Sequence, residues 1–97
     1  MKPIRIVLQK RHFNVSLERS KDICPITNYL LEKGFVRLEL CIGWTFLSIG
    51  NRHYTIPDKI RYMLGYDAWN FDLVLNQGQV DKMFKDRKFL VFYAIPE

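Results

Sequence analysis

The stretch from residue 35 to residue 56 constrains the fold more than any other part of the sequence. Apolar and polar residues alternate over 35–42, the pattern of a strand with one buried face. The apolar side of that pattern carries Val36, Leu38, Leu40 and Ile42. A second apolar run, 44–49, is followed by Gly50-Asn51, a two-residue hairpin signal, and 52–56 forms the returning strand. The segment therefore predicts a three-stranded antiparallel meander.

Two further strands are predicted near the ends of the sequence. Residues 4–9 alternate β-branched and leucine residues with other types, which predicts a first strand. Residues 88–95 are apolar on both faces, which predicts a central strand covered on each side. Residues 10–21 have a mixed pattern, so a short second strand and a loop both remain open for them.

Residues 22–34 carry start and stop signals of a helix. Asp22 or Cys24 can cap its start, and Pro25 fits the first turn, where a missing N–H costs nothing. Gly34 can adopt the left-handed conformation that ends many helices, with the next residue, Phe35, closing back on the last turn.

A second helix is predicted from residue 57 onward. Thr55 is placed to cap it, Asp58 stands three residues later in the capping-box position, and Pro57 falls in the first turn. The pattern lets the helix stop at Gly65 or continue to Trp69.

Residues 79–86 show helical spacing and predict a short third helix, whereas 70–78 are not assigned. Together these segments predict an α+β fold: a small, mostly antiparallel sheet of four or five strands packed by two or three helices. A chain of 97 residues has room for one core, so we expect a single domain, 1–97.

Several broad classes of protein are excluded by composition. Apolar residues make up 48% and charged residues 26%, which does not fit a disordered chain. No apolar run approaches the ~18 to 20 residues of a membrane span. Arg5, Gln9 and Lys10 interrupt the first apolar stretch, so we expect no secretion signal and a cytoplasmic protein.

Positive charge is concentrated at the start of the chain. Residues 1–21 hold six cations and one anion, whereas 22–97 hold nine of each, and the net charge is +5. Such an asymmetry indicates an anionic partner, such as nucleic acid, a phosphorylated ligand or an acidic protein surface. The alternative is that the excess charge only keeps a small protein soluble.

Metal binding is not indicated. The two cysteines, Cys24 and Cys41, form no CxxC pair, and with His12 and His53 they lack the close ligand pair that zinc sites use. We therefore expect free thiols, no metal and no cofactor.

One hypothesis for catalysis starts from Cys24. A thiol at the start of a helix feels the positive end of the helix dipole, which favours the thiolate, and His12 or His53 would be its base. The alternative, which we favour, is that Cys24 packs the helix start and that both histidines lie on the surface. No phosphate-binding glycine loop or HxH pattern appears, so we expect a protein that is not an enzyme.

Binding to a partner is the remaining class, and two sets of residues are candidates for it. Basic side chains and a histidine form the candidate anion-binding set: Arg5, Lys10, Arg11, His12, Lys59 and Arg61. Aromatic side chains form the candidate anchors: Trp44, Tyr62 and Trp69. Aromatics beside cations can stack nucleic-acid bases, and the same residue types anchor protein interfaces.

Short motifs add a resemblance. A helix starts at Ile23-Cys24-Pro25-Ile26 after a basic strand, a later helix opens at Ile56-Pro57, and Tyr66-Asp67 follows. Over about residues 4–70 this order resembles small uncharacterised proteins of bacteriophages and prophages. The resemblance implies no known activity, but proteins of this size in that setting tend to be binders and inhibitors.

We therefore expect a small non-enzymatic binding protein that engages a host or phage protein as an inhibitor or adaptor. The alternative is a nucleic-acid-binding protein that uses its basic N-terminal segment, although no nucleic-acid-binding motif is present. A thiol enzyme centred on Cys24 is the second alternative. We expect no membrane partner, because no stretch has the pattern of a basic amphipathic helix.

Overall fold

The computed structural model describes residues 2–16, 19–20, 24–42, 46–64 and 76–97. Its strands are β1 (Ile4–Leu8), β2 (Leu40–Ile42), β3 (Phe46–Ile49), β4 (Arg52–Thr55) and β5 (Leu90–Pro96). Its helices are α1 (Pro25–Glu32), α2 (Asp58–Met63) and α3 (Gln77–Met83), with short 3₁₀ helices at Lys10–His12 and Arg37–Glu39. The strands form one antiparallel sheet in the order β1-β5-β4-β3-β2. The predicted α+β fold is confirmed.

The meander predicted over 35–56 is present as β2, β3 and β4. Ile49 of β3 lies opposite Arg52 of β4, so the hairpin loop is the two residues Gly50 and Asn51. Gly50 has a φ of 59°, the left-handed conformation that the first position of a tight hairpin turn requires. Glycine adopts this conformation without the steric cost that a Cβ imposes.

The first half of the predicted strand 35–42 is wrong. Residues 37–39 form a 3₁₀ helix, and Val36 and Leu38 are 55% and 96% exposed instead of half-buried. Leu40 pairs with Ile49, the last residue of β3 before the turn. Residues ahead of Leu40 therefore have no β3 residue left to pair with, and the backbone forms local hydrogen bonds instead, such as Glu39 N to Val36 O at 3.0 Å.

Helix α1 begins and ends as its signals predict. Cys24 is the N-cap residue and Pro25 occupies the first turn. At the other end, Phe35 N donates to Leu30 O at 3.0 Å and Gly34 N donates to Leu31 O at 3.1 Å. These two bonds, with Gly34 at a φ of 95°, form a Schellman motif.

Helix α2 starts differently from the prediction. Its N-cap is Pro57, because Thr55 is the last residue of β4 and pairs with Phe46 and Ile95 in the sheet. A residue held in a strand on both sides cannot turn to cap a helix. The helix ends at Met63, while Gly65 and Trp69 lie outside the described residues.

Helix α3 begins two residues before the predicted segment 79–86 and ends at Met83. Its N-cap is Asn76, whose side chain accepts a hydrogen bond from Gln79 N at 2.8 Å, and the Gln79 side chain accepts one from Asn76 N. This capping box is formed by an Asn-x-x-Gln pair, a variant of the usual Ser or Thr signature.

The strand alternative for residues 10–21 is wrong wherever this segment is described. Lys10–His12 is a 3₁₀ helix, and Val15 and Ser16 form a turn. The apolar Phe13 still enters the core at 8% exposure, with its ring edge-to-face on Phe84. The other alternative, a loop pinned by apolar residues, describes this part of the chain better.

The three helices of the described residues contribute to a core on one face of the sheet. Their buried apolar residues include Ile26, Leu30, Ile60 and Val80. They pack with the strand residues Ile6, Leu8, Leu47, Tyr54, Leu90, Phe92 and Ala94. The sheet therefore has one face packed against helices.

The expectation that residues 88–95 are covered on each side is wrong. Strand β5 is central in the sheet, between β1 and β4, but its side chains alternate between buried and exposed. The described helices all pack into one core, on one face of the sheet. The apolar residues of the second face therefore remain in contact with solvent.

Strand β1 is one edge of the sheet, and helix α1 packs beside it. The hydroxyl of Tyr29 in α1 donates a hydrogen bond to the backbone carbonyl of Arg5 at 3.3 Å. Helix α1 thus contacts both the core side chains and the backbone of this edge strand.

Candidate functional site

The basic N-terminal residues do not form one free cationic surface. Lys10 Nζ lies 2.6 Å from Asp81 Oδ1 in α3, and Arg11 Nη2 lies 2.5 Å from Glu32 Oε1 in α1. Both cations are about half exposed, but each charge is balanced by a carboxylate of the same chain. Their pairing reduces the attraction that this segment offers to an external anion.

His12, expected on the surface, is buried at 3% exposure. Its Nε2 lies 2.5 Å from Glu32 Oε2, and its Nδ1 accepts a hydrogen bond from the backbone N–H of Gln9 at 2.8 Å. Since Nδ1 is an acceptor, the proton of the neutral ring is on Nε2 and is donated to Glu32. Both ring nitrogens are occupied, which leaves none to contact an anionic ligand or to serve as a base for Cys24.

Helix α1 surrounds this histidine with three side chains. Besides Glu32, Asn28 donates through Nδ2 to the backbone carbonyl of His12 at 2.8 Å. The Tyr29 ring meets the imidazole edge-to-face, with 5.6 Å between ring centroids. The histidine therefore joins the 3₁₀ helix to α1.

Two carboxyl groups in these ion pairs have shifted pKa values. The pKa of Glu32 lies below its ordinary value, first because His12 hydrogen-bonds its carboxylate and second because Arg11 does. The pKa of Asp81 is also lowered, mainly by the hydrogen bond from Lys10 and then by that from Gln77. Both carboxyl groups are thereby held in the ionised form.

On α2, the candidate residues have different environments. Arg61 is 6% exposed, its Nη2 lies 2.5 Å from Asp58 Oδ1, and its guanidinium group lies 5.4 Å from the centroid of the Tyr62 ring. Lys59 is exposed, and Tyr62 is 69% exposed. The exposure of Tyr62 agrees with its predicted place off the buried stripe, whereas Arg61 is too buried to form an open basic surface with Lys59.

Two aromatic candidates, Trp44 and Trp69, lie outside the described residues. Their predicted role as anchors stays a prediction. Arg5 is exposed on the outer face of β1, opposite Tyr93 of β5 in the register.

A feature that sequence reasoning missed is a row of exposed apolar side chains along β5. Phe89, Val91, Tyr93 and Ile95 are 50%, 42%, 50% and 48% exposed, and we call these four residues the β5 stripe. Phe89 directly precedes β5, and the spacing of two places Val91, Tyr93 and Ile95 on one face of the strand, opposite the helices.

Neighbouring strands extend the β5 stripe. Val7 of β1, which is partly buried, lies opposite Val91, and Arg5 lies opposite Tyr93. On the other side, Thr55 of β4 lies opposite Ile95. Facing pairs in an antiparallel sheet share a face, so the stripe continues onto an apolar, a basic and a hydroxyl side chain. The result is a surface with an aromatic and aliphatic centre and one cation beside Tyr93.

A signal for this surface is present in the sequence. Residues 88–95 contain apolar residues at both the odd and the even positions. A strand of this kind needs cover on two faces, and a chain with two or three short helices has enough only for one. Comparing the number of predicted helices with the two faces of the sheet would have predicted that one apolar face stays exposed.

A few of the described side chains have catalytic or metal-ligating chemistry. Ser48 Oγ lies 2.8 Å from His53 Nδ1 across the β3–β4 pair, and Cys24 is partly buried and forms no disulfide with another described residue. In the described ranges there is no group of three or more His, Cys, Asp or Glu residues that could hold a metal ion. Within the same ranges, no helix is long and apolar enough to cross a membrane.

Comparisons with known proteins were made at the level of family, sequence and structure. No family model matches this chain, and neither the curated proteins nor the solved structures gave a match. A functional reading consequently depends on the surfaces described above.

Proposed function

We propose that this chain is a small, non-enzymatic binding protein of phage type that acts in the cytoplasm. It engages a host or phage protein, as an inhibitor or adaptor, through the β5 stripe. The single observation that carries the proposal is the exposure of 42–50% at four large apolar side chains within residues 89–95. Contiguous exposed apolar surface of this kind is typical of protein interaction sites.

The composition of the stripe favours a protein over a nucleic acid. Two of its members are aliphatic, Val91 and Ile95, and offer no ring on which a base could stack. Tyr93 lies opposite Arg5, and tyrosine, phenylalanine and arginine are residue types that commonly anchor protein interfaces. The partner surface that fits has an apolar centre and a carboxylate opposite Arg5.

Ion pairing weakens the case for nucleic acid at the N-terminal segment. Lys10 and Arg11 are balanced by Asp81 and Glu32, and His12 is buried. Duplex binding depends on cations that are free to replace the counterions of phosphates. Nucleic-acid binding is therefore the alternative outcome of the test below rather than a second proposal.

The test compares three forms of the purified chain in affinity capture from a lysate of the native host. The stripe variant carries Val91→Thr, Tyr93→Thr and Ile95→Thr, because threonine keeps the strand preference while removing apolar surface. The matched control is Leu38→Thr, which removes an apolar side chain that is 96% exposed but lies outside the strands. Far-ultraviolet circular dichroism and thermal melting verify that each variant is folded.

We expect the wild type and Leu38→Thr to retain the same protein after nuclease treatment, and the stripe variant to lose it. With the retained partner purified, Tyr93→Ala should weaken binding by about 2 kcal/mol or more if Tyr93 is a central anchor. Affinity should fall only slightly with salt, because the contact is mainly apolar and only the ion pair at Arg5 is screened. Equal capture by the stripe variant, or capture that nuclease abolishes, would contradict the proposal, and the latter would favour nucleic acid.

A further inference from the structure

A pocket lies on the opposite side of the sheet from the β5 stripe. It has a volume of about 430 Å³, within the usual range for small-ligand sites. Its lining includes Lys2, Ile4, Phe35, Ile49, Arg52 and Tyr54. Ile49 and Tyr54 belong to the core side of the sheet, so the pocket opens where the helical layer ends beside the β3–β4 hairpin.

The polar groups of this pocket have one sign of charge. Lys2 and Arg52 both line it, and no carboxylate of the described residues lies within 4.0 Å of either cation. Two like charges at one pocket repel each other, and a bound anion relieves that repulsion. This differs from Lys10 and Arg11, whose charges are balanced within the chain.

Tyr54 adds a third group that can donate a hydrogen bond. Tyr54 is 3% exposed and lines the pocket. Its hydroxyl has no hydrogen bond to any residue that the structure describes. The hydroxyl is open to solvent rather than buried without a partner, so it can donate a hydrogen bond to a ligand group in the pocket.

The rest of the lining is apolar. Ile4, Phe35 and Ile49 offer aliphatic and aromatic surface next to the three donors. From this arrangement we propose that the pocket binds a compact organic anion, a carboxylate or phosphate carried on an apolar body. The anionic group contacts Lys2, Arg52 and the Tyr54 hydroxyl, and the apolar body packs on Phe35 and the two isoleucines.

Two kinds of ligand carry an anionic group on an apolar body. One is a free small molecule, and the other is the C-terminal carboxylate of a peptide whose last residue is apolar. The proposal rests on residues that the β5 stripe does not include. It therefore stands or fails independently of the proposed function.

The experiment titrates the full chain with phenylacetate, phenyl phosphate and a pentapeptide ending in phenylalanine. Matched neutral probes are phenylacetamide and the same pentapeptide as its C-terminal amide. Binding is followed by ¹H–¹⁵N correlation spectra, with Arg52→Gln and Lys2→Gln as test variants. Lys85→Gln is the control, because it removes an exposed cation that does not line the pocket.

We expect at least one anionic probe to shift the amide signals of residues 4, 35, 49, 52 and 54. Its neutral analogue should bind about tenfold more weakly, as should the anion to Arg52→Gln, since a hydrogen bond to a charged group has that effect. Tighter binding of the small anions assigns a small molecule, and tighter binding of the acid peptide assigns a chain terminus.

Three results would overturn the proposal. The first is no shift from any anionic probe at millimolar concentration. The second is equal affinity for the anionic and neutral probes. The third is an equal loss in Lys85→Gln, which would mean that net charge alone attracts the anion. Loss of partner capture by the stripe variant bears on none of these readouts.

Discussion

Replacing Glu32 by glutamine tests the contact that holds the 3₁₀ helix Lys10–His12 against α1. The Glu32 carboxylate accepts hydrogen bonds from His12 Nε2 and Arg11 Nη2, each at 2.5 Å. Glutamine keeps the shape but removes the charge, so both bonds lose their charge assistance. We expect Glu32→Gln to lower the free energy of unfolding by about 1 kcal/mol. The Arg11 bond contributes the smaller share, because Glu32 is 43% exposed and solvent screens it.

A larger effect is expected for Glu32→Ala. This change leaves the Nε2 proton of His12, a side chain that is 4% exposed, without its acceptor. An unsatisfied buried donor costs about 1–3 kcal/mol, and water entering the gap left by the exposed Glu32 keeps the loss near the lower half of that range. For a chain of this size, each kcal/mol corresponds to a melting temperature lower by about 4–8 °C. Urea denaturation and thermal melting measure both quantities.

Acid should remove the advantage that Glu32 gives the wild type. The folded pKa of Glu32 lies below its ordinary value of 4.5, mainly because of the hydrogen bond from His12. A group with a lowered folded pKa contributes stability that is present above the unfolded pKa and is lost as the pH falls through the folded pKa. The difference in the free energy of unfolding between wild type and Glu32→Gln should therefore reach its full size well above pH 4.5. Below that pH it should shrink.

Asp81→Asn is the matched control, because the Lys10–Asp81 pair is about half exposed on both sides and no buried group depends on it. We expect no measurable change in its stability at neutral pH. A loss in Glu32→Gln and Glu32→Ala no greater than in Asp81→Asn would refute the reasoning. The reasoning would also be refuted if the difference in the free energy of unfolding between wild type and Glu32→Gln stayed constant as the pH is lowered.

Two further predictions concern local backbone and the thiol. Gly50→Ala should destabilise the chain by about 1–2 kcal/mol, because Gly50 has a φ of 59°. Gly78 lies in α3, where an added Cβ meets Asn76 Oδ1 at 3.4 Å, an ordinary contact. Gly78→Ala should therefore raise the free energy of unfolding by a few tenths of a kcal/mol up to about 1. Urea denaturation that ranks the two variants in the reverse order would contradict this. Cys24→Ser should keep the fold and the captured partner, since serine is a favourable N-cap; a folded variant that captures nothing would assign Cys24 a functional role.

Features set by neighbouring residues were predictable from the sequence. The Schellman end at Gly34 and the two-residue turn at Gly50 each depend on a backbone conformation that glycine adopts readily. The signal and the structure it specifies lie within a few residues of each other. No knowledge of the rest of the chain is needed.

Features that depend on a distant partner were not predictable. Residues 36–39 alternate like a strand. They could pair only if β3 continued past Ile49, but the chain turns into the hairpin there. Thr55 has the sequence context of a helix cap, but its pairing with Ile95 keeps it in the sheet. In both cases tertiary pairing outweighs the local pattern.

The same limit explains the candidate sites. Counting charges identified Lys10 and Arg11 as an anion-facing pair, but Asp81 is 71 positions from Lys10, and Glu32 lies 20 positions from His12. A count along the chain does not contain such pairings. The strand at 88–95 was predicted, whereas its exposed face depends on where the helices pack.

The hydrogen bond from Tyr29 to the carbonyl of Arg5 has a consequence for self-association. An unprotected strand at the margin of a sheet can template the addition of a strand from another copy, which leads to fibrillar polymers. On β1, one acceptor of that margin already has a side-chain donor, and α1 packs alongside. The opposite margin, β2, comprises three residues in the described part of the chain, and these offer an incoming strand few backbone groups. The chain thereby exposes an apolar sheet face while disfavouring growth of its own sheet from copy to copy.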